Sequence, residues 1–202
     1  MFKKLLIGLG IVLLSALLGG GYAMYSIKAK AKSKPLSVQN GCWTVNESMT
    51  LEDPYQRALV ARAGLFALRE SEVLYFVASE DSEGNPLSSA HSYVMEGPAP
   101  DARYWSYTMY GHDYFLIDNE QDIYGYNMDN IQYIDESDDP EMPSNLLGNH
   151  QITLSSNPQG DNWLPTGSED QYYITLRMYN PSPAVYNNVR TVPLPTIKRI
   201  DK

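Results

Sequence analysis

Residues Gln159 to Pro181 read QGDNWLPTGSEDQYYITLRMYNP. A loop closing on Asn162-Trp163-Leu164-Pro165 leads through a polar turn into the clearest strand pattern of the chain. From Tyr172 the residues alternate, with Tyr172, Ile174, Leu176 and Met178 on one side and Tyr173, Thr175, Arg177 and Tyr179 on the other. A period of two with β-branched and aromatic content predicts a strand buried on one face only. Pro181 and Pro183 end it, because proline has no N–H to give to a ladder.

Working outward, most of the chain carries the same signature. Val73 to Ala78 (VLYFVA) is apolar on both faces, as a central strand is. Shorter strand patterns fall at His91–Glu96, Arg103–Tyr110, Tyr114–Ile117, Ile123–Tyr126, Ile131–Ile134, Gln151–Leu154 and Thr196–Ile200. Many short strands separated by Gly, Pro, Asn and Asp turns predict a sandwich or barrel. Gly41 to Asn46 opens the domain as an extended piece that tucks Trp43 into the core, and Asp135–Pro143 (DESDDPEMP) reads as an exposed loop.

One helix is predicted ahead of the strands. Asp53 is its N-cap, Pro54 takes the first helical position, and the pattern runs to Arg69. Ten of the 14 residues from Tyr55 to Leu68 are apolar, so this helix is expected to be buried against the sheets. Arg62 sits among those apolar positions and then requires a carboxylate or carbonyl partner.

The N-terminus differs in kind. Leu5 to Ile27 is nearly continuous in apolar and small residues, with no charge between Lys4 and Lys28. At about 1.5 Å per residue it crosses a hydrocarbon core of about 30 Å. Two readings fit: an uncleaved single-pass anchor, or a secretory signal cut near Ala23, after the small-x-small run Gly21-Tyr22-Ala23. Lysines flank both ends, so orientation rests on the short basic start, which favours a C-terminal domain on the periplasmic or extracellular side. The expected organisation is a membrane segment at 1–27, a basic linker at 28–40 and a β domain at 41–202. The linker lysines also suit anionic lipid head groups.

Charge is distributed unevenly. Six of the 15 basic residues precede residue 35, where there are no acids, leaving 9 basic against 24 acidic residues, a net of −15, in the remainder. Such a surface repels phosphate backbones, which argues against a nucleic-acid partner. The single cysteine, Cys42, forms no intrachain disulfide and beside Trp43 reads as a small apolar filler. His91, His112 and His150 are far apart and form no zinc-binding pair. Ser106 sits in Trp-Ser-Tyr, not in a nucleophile elbow. Asp118, Glu120, Asp122 and Asp129 lack EF-hand spacing and read as a solvated acidic loop. The sequence therefore designates no catalytic residue, metal or cofactor.

Several short motifs occur in a fixed order. They are Asp53-Pro54-Tyr55, Arg62-Ala63-Gly64-Leu65 with Ala67-Leu68, Tyr75-Phe76, and Tyr104-Trp105-Ser106 with Thr108 and Tyr110. Leu116 through Asn119, Asn162-Trp163-Leu164-Pro165 and Leu176-Arg177-Met178-Tyr179-Asn180-Pro181 complete the set. With these the chain, from about Trp43 to Arg199, resembles the bacterial exported proteins of domain of unknown function 1214. The resemblance implies a jelly-roll-like antiparallel β-sandwich outside the cytoplasm, with no established activity. The chain departs from the family pattern after Asn119, where Glu120-Gln121-Asp122 replaces an Asn-Arg-Tyr-Ser-like run, and at Gly148-Asn149, where the family has Asp-Gly.

The tyrosines supply the candidate site. There are 16, against 4 phenylalanines, so aromatic surface comes with hydroxyls. Alternation places Tyr104, Ser106, Thr108 and Tyr110 on one face of their strand, as it does Tyr173, Thr175, Arg177 and Tyr179. If the two strands are neighbours they form a hydroxyl-rich platform with one arginine, suited to sugars or peptides. The bland alternative is a wet sheet face in which each tyrosine packs its ring and hydrates its oxygen. Arg177 either pairs with an acidic side chain or grips a ligand carboxylate in bidentate fashion. Trp163 reads as a plug at a sandwich end, and Asn162 as bonded within its own turn.

Ligand binding is thus expected at Tyr104, Ser106, Tyr110, Asn119, Asn162, Trp163 and Arg177. The protein is expected to be an envelope protein of the cytoplasmic membrane, anchored through Leu5 to Ile27. Its expected role is to bind a small polar or glycan-like ligand or a protein partner, without catalysis. A hydrolase or lyase built on Arg177, tyrosines and one carboxylate is the first alternative, and a structural envelope component the second.

Overall fold

In the computed structural model, residues 2–32, 37–46, 70–134 and 148–200 are described, together with 54, 55, 58 and 68. The predicted helix Asp53–Arg69, with Arg62, lies mostly outside these; of its residues Pro54, Tyr55 and Ala58 are helical. The acidic loop Asp135–Pro143 is also outside them. The chain divides into two units, Met1–Leu36 with Ser48–Arg69, and Ser37–Glu47 with Glu70–Lys202.

In the first unit a helix, α1, spans Phe2–Lys32. Phe2–Ala29 within it has a mean hydropathy of 2.1 and is long and apolar enough to cross a membrane. Its leucines, Leu5, Leu9, Leu14 and Leu17 among them, are exposed. The stretch read as a linker, 28–40, is therefore helical through Lys32 and a strand from Ser37.

The second unit holds two sheets. Strands β1 (Ser37–Asn40), β2 (Trp43–Asn46), β3 (Val73–Ala78), β5 (Ala102–Gly111), β6 (Gly125–Asn127) and β9 (Tyr172–Pro181) make a six-stranded sheet. Its order is β1-β2-β3-β9-β5-β6, and every pair is antiparallel. Strands β4 (Tyr93–Pro98), β7 (Asn149–Ser155), β8 (Trp163–Pro165) and β10 (Thr196–Arg199) make the other sheet, ordered β10-β4-β7-β8. One short helix, α2 (Pro183–Tyr186), follows β9.

Both sheets contribute to one core. Phe76, Trp105, Tyr107, Ile174, Leu176 and Met178 of the six-stranded sheet and Met95, Ile152, Leu154, Leu164 and Ile197 of the four-stranded sheet belong to a single buried cluster. Alternation selects these residues: in β9, Tyr172, Ile174, Leu176 and Met178 are all 2% exposed or less. Removing this much apolar surface from water is the main stabilising term of such a fold.

Two expectations about strands are corrected. The fold is not antiparallel throughout, because β7 and β8 pair in parallel. The Asn162 side chain, bonded to the backbone of Gln132 and Gln151, fixes where β8 starts, and the Asn162 carbonyl accepts from Thr153 N–H. Tyr114–Ile117 and Ile131–Ile134 are not strands either; each contributes one isolated bridge, Leu116 to Tyr110 and Tyr133 to His150. Tyr114 adopts a left-handed φ of 71°, which turns the chain before a ladder can extend.

Candidate functional site

Strands β5 and β9 are neighbours, and their register decides which side chains meet. Tyr104 lies opposite Tyr179, Ser106 opposite Arg177, Thr108 opposite Thr175 and Tyr110 opposite Tyr173. On the other side of β9, β3 sets Tyr75 against Arg177. All these side chains point away from the core. Tyr75, Tyr104, Ser106, Thr108, Tyr110, Tyr173 and Arg177 are half-buried, Tyr179 is exposed and Thr175 is buried as the floor.

The platform has an aromatic pair at each end. The rings of Tyr104 and Tyr179 lie 5.8 Å apart, and those of Tyr110 and Tyr173 stack at 5.6 Å with 20° between planes. Tyr114 extends the second pair, its ring 5.5 Å from that of Tyr173. Tyr110 lies six residue steps along the strand from Tyr104, so the surface is about 20 Å long.

Arg177 occupies its middle. One terminal nitrogen donates to Thr108 Oγ1 at 3.0 Å, the other to the Tyr110 hydroxyl at 2.6 Å. The guanidinium carbon is 5.9 Å from the Tyr75 ring centroid and 5.4 Å from that of Tyr110, in cation–π range. Among the described residues no carboxylate lies within ion-pair distance of Arg177. Among the described residues its partners are hydroxyls and aromatic rings, not an acidic side chain. The half-buried hydroxyl of Ser106 makes no hydrogen bond with any described residue.

Electrostatics follow from this packing. Burial, then the neighbouring Tyr114 and Tyr110 and the Asp113 carboxylate, push the Tyr173 phenol up to about 12. Burial and the nearby Tyr179 raise Tyr75 as well, with Arg177 working in the opposite direction. These phenols are therefore neutral donors at any physiological pH, beside a permanent cation.

The other expected residues lie elsewhere. Asn119 closes its own loop: Nδ2 donates to the carbonyls of Ile117 and Ile123 at 3.1 and 3.0 Å, and Oδ1 accepts from Ile123 N–H at 2.9 Å. Asn162 is bonded outside its own turn, to Gln132 N–H at 2.9 Å, Gln132 O at 2.7 Å and Gln151 O at 2.9 Å. Trp163 is buried on the face of β8 opposite Leu164, where Nε1 donates to Ser155 O and Oγ at 3.0 Å each. The structure thus brings Tyr104, Ser106, Tyr110 and Arg177 together and leaves Asn119, Asn162 and Trp163 apart from them.

Tyr75 escaped the sequence reading because VLYFVA looks apolar on both faces. Its hydroxyl, as the one polar atom of that run, was the available signal. A second polar group sits in the core. His150 is fully buried, stacks on Trp105 at 5.4 Å and lies 3.1 Å from the Tyr107 hydroxyl through Nε2. Among the described residues its Nδ1 and the Trp105 Nε1 have no hydrogen-bond partner.

A two-sheet β unit with a tyrosine-rich outer face, preceded by an apolar helix, defines the class of protein. The chain belongs to the family described as "Protein of unknown function (DUF1214)", whose model matches residues 72–183. No curated protein matches it. Among solved structures it is similar to the VPA0106 protein from Vibrio parahaemolyticus, with a TM-score of 0.56 and 24% identity, over 74% of this chain and 36% of that one. An uncharacterised protein from Burkholderia cenocepacia matches with a TM-score of 0.42 and 14% identity, over 93% of this chain and 43% of that one. The chain thus spans well under half the length of either, and the first likeness bears on the fold alone.

Proposed function

We propose that this protein is a non-catalytic binding module of the bacterial envelope, tethered by α1 to the cytoplasmic membrane with its jelly-roll-like β domain on the outer side. Its ligand is a small polar or glycan-like molecule lying along the outer face of β3, β9 and β5. The register of β5 on β9 carries this reading, because it lines up two tyrosine pairs around Ser106, Thr108 and Arg177 on a face the core does not use. Aromatic rings offer their faces to the apolar side of a sugar, while hydroxyls and N–H groups at their edges meet its oxygens.

A protein partner at the same face is the second reading. It is favoured by the tip beyond the platform, where Tyr114, Phe115 and Leu116 are 77%, 73% and 44% exposed. Screening the full chain in detergent against a glycan array tests the first reading. Retention of a glycan, weakened about tenfold or more by Y104A, supports it. Failure to retain any glycan, with a protein captured through Y114A-sensitive contacts, overturns it in favour of the second.

A further inference from the structure

Resting on the reading of this face as a binding surface, we infer that its ligand carries a carboxylate or similar anionic group that docks on Arg177. A half-buried arginine in a domain rich in acids ordinarily finds one of them, and this domain carries 9 basic against 24 acidic residues beyond residue 34. Among the described residues Arg177 has instead Thr108, Tyr110 and the rings of Tyr75 and Tyr110 around it, and no carboxylate. Those groups hold the guanidinium in place without neutralising it.

The donor count points the same way. A guanidinium has five N–H groups, and two are used by Thr108 and Tyr110. The remaining three lie in the plane of the fork, pinned between two aromatic rings, so little side-chain freedom is lost when an oxyanion arrives. The Ser106 hydroxyl, unbonded among the described residues, stands opposite in register and adds a donor beside them. Neutral tyrosine hydroxyls complete a surface with donors and one fixed positive charge. Its chemical complement is an acidic sugar such as a uronic acid, whose ring stacks on a tyrosine pair while its carboxylate meets the arginine. The surrounding net negative charge sharpens the choice, because a polyanion held only by long-range attraction would be repelled.

The test uses the full chain in lipid nanodiscs and two probes with the same sugar backbone, one anionic and one neutral: a galacturonic acid tetrasaccharide and its fully methyl-esterified form. The expected result is that the acid binds about ten- to a hundredfold more tightly than the ester. That preference should shrink with added salt, vanish in R177Q, weaken in Y110F, and persist in K198Q, which removes a positive charge from the four-stranded sheet. Equal binding of acid and ester in the wild type overturns the inference while leaving the binding surface intact. Binding of neither probe, together with no retention on a neutral glycan array, overturns the binding surface itself. A preference for the acid that survives unchanged in a folded R177Q, or is lost equally in K198Q, overturns the assignment to Arg177.

Discussion

The guanidinium of Arg177 donates to the Tyr110 hydroxyl at 2.6 Å although the residue opposite Arg177 in register is Ser106. The side chain therefore leans diagonally along β5 and lies against the Tyr110 ring it also hydrogen-bonds. Removing the hydroxyl alone tests this arrangement. Y110F should lower the stability of the β unit by about 1 kcal/mol, the worth of one half-exposed hydrogen bond to a charged group. All three tryptophans, Trp43, Trp105 and Trp163, are buried in that unit, so their fluorescence in urea reports it directly.

Asn162 is predicted to matter to the fold rather than to a ligand. Its amide makes three hydrogen bonds to the backbone of Gln132 and Gln151 in a half-buried place, and truncation removes all three. N162A should cost about 3 kcal/mol, seen as a lower urea midpoint with an unchanged slope. A loss below 0.5 kcal/mol would mean that water replaces the amide at no cost.

His150 gives the β unit a dependence on acid. Burial lowers its imidazole pKa from 6.5 to about 4 in the folded protein. The unfolded chain takes up the proton first, so the stability His150 permits is fully present above pH 6.5 and declines as pH falls toward 4. The loss is complete below that value and amounts to about 3 kcal/mol. Urea unfolding between neutral and acid pH should show this decline, and H150Q should flatten it by that amount whatever its effect at neutral pH.

Gly125 is predicted to admit no side chain. A Cβ there would lie 2.1 Å from the Tyr107 carbonyl oxygen, across the β5–β6 pair. G125A should therefore cost about 2 to 3 kcal/mol by displacing β6, detectable as faster amide exchange at Met109 and Met128, whose N–H groups donate to the Tyr124 and Trp105 carbonyls.

The two-faced strands were legible because each face has a different solvent. Tyr172 to Tyr179 and Tyr104 to Tyr110 alternate without interruption, and β3, β7 and β10 lie close to the positions their patterns predict. What alternation does not contain is which strands are neighbours, and so the platform followed only on condition that β5 and β9 pair. Motif position alone points Asn119 and Asn162 toward a ligand. Nothing in those motifs shows that the Asn119 amide closes its own loop or that backbone groups at Gln132 and Gln151 take up the Asn162 amide. Tyr114 and Phe115 resembled a strand by composition, and the left-handed backbone at Tyr114 that makes them a tip leaves no mark in residue type. The parallel pairing of β7 with β8 rests on three residues, too few for any period to declare.

Strand β5 assigns alternate side chains to two jobs, Trp105, Tyr107 and Met109 inward and Tyr104, Ser106, Thr108 and Tyr110 outward. A single codon gained or lost between Ala102 and Gly111 would exchange those jobs for every residue downstream, exposing indole and sealing away hydroxyls. An inserted residue is therefore expected to be harmless only in a connection such as 156–161, while the ten residues of β5 admit substitution but no change of length.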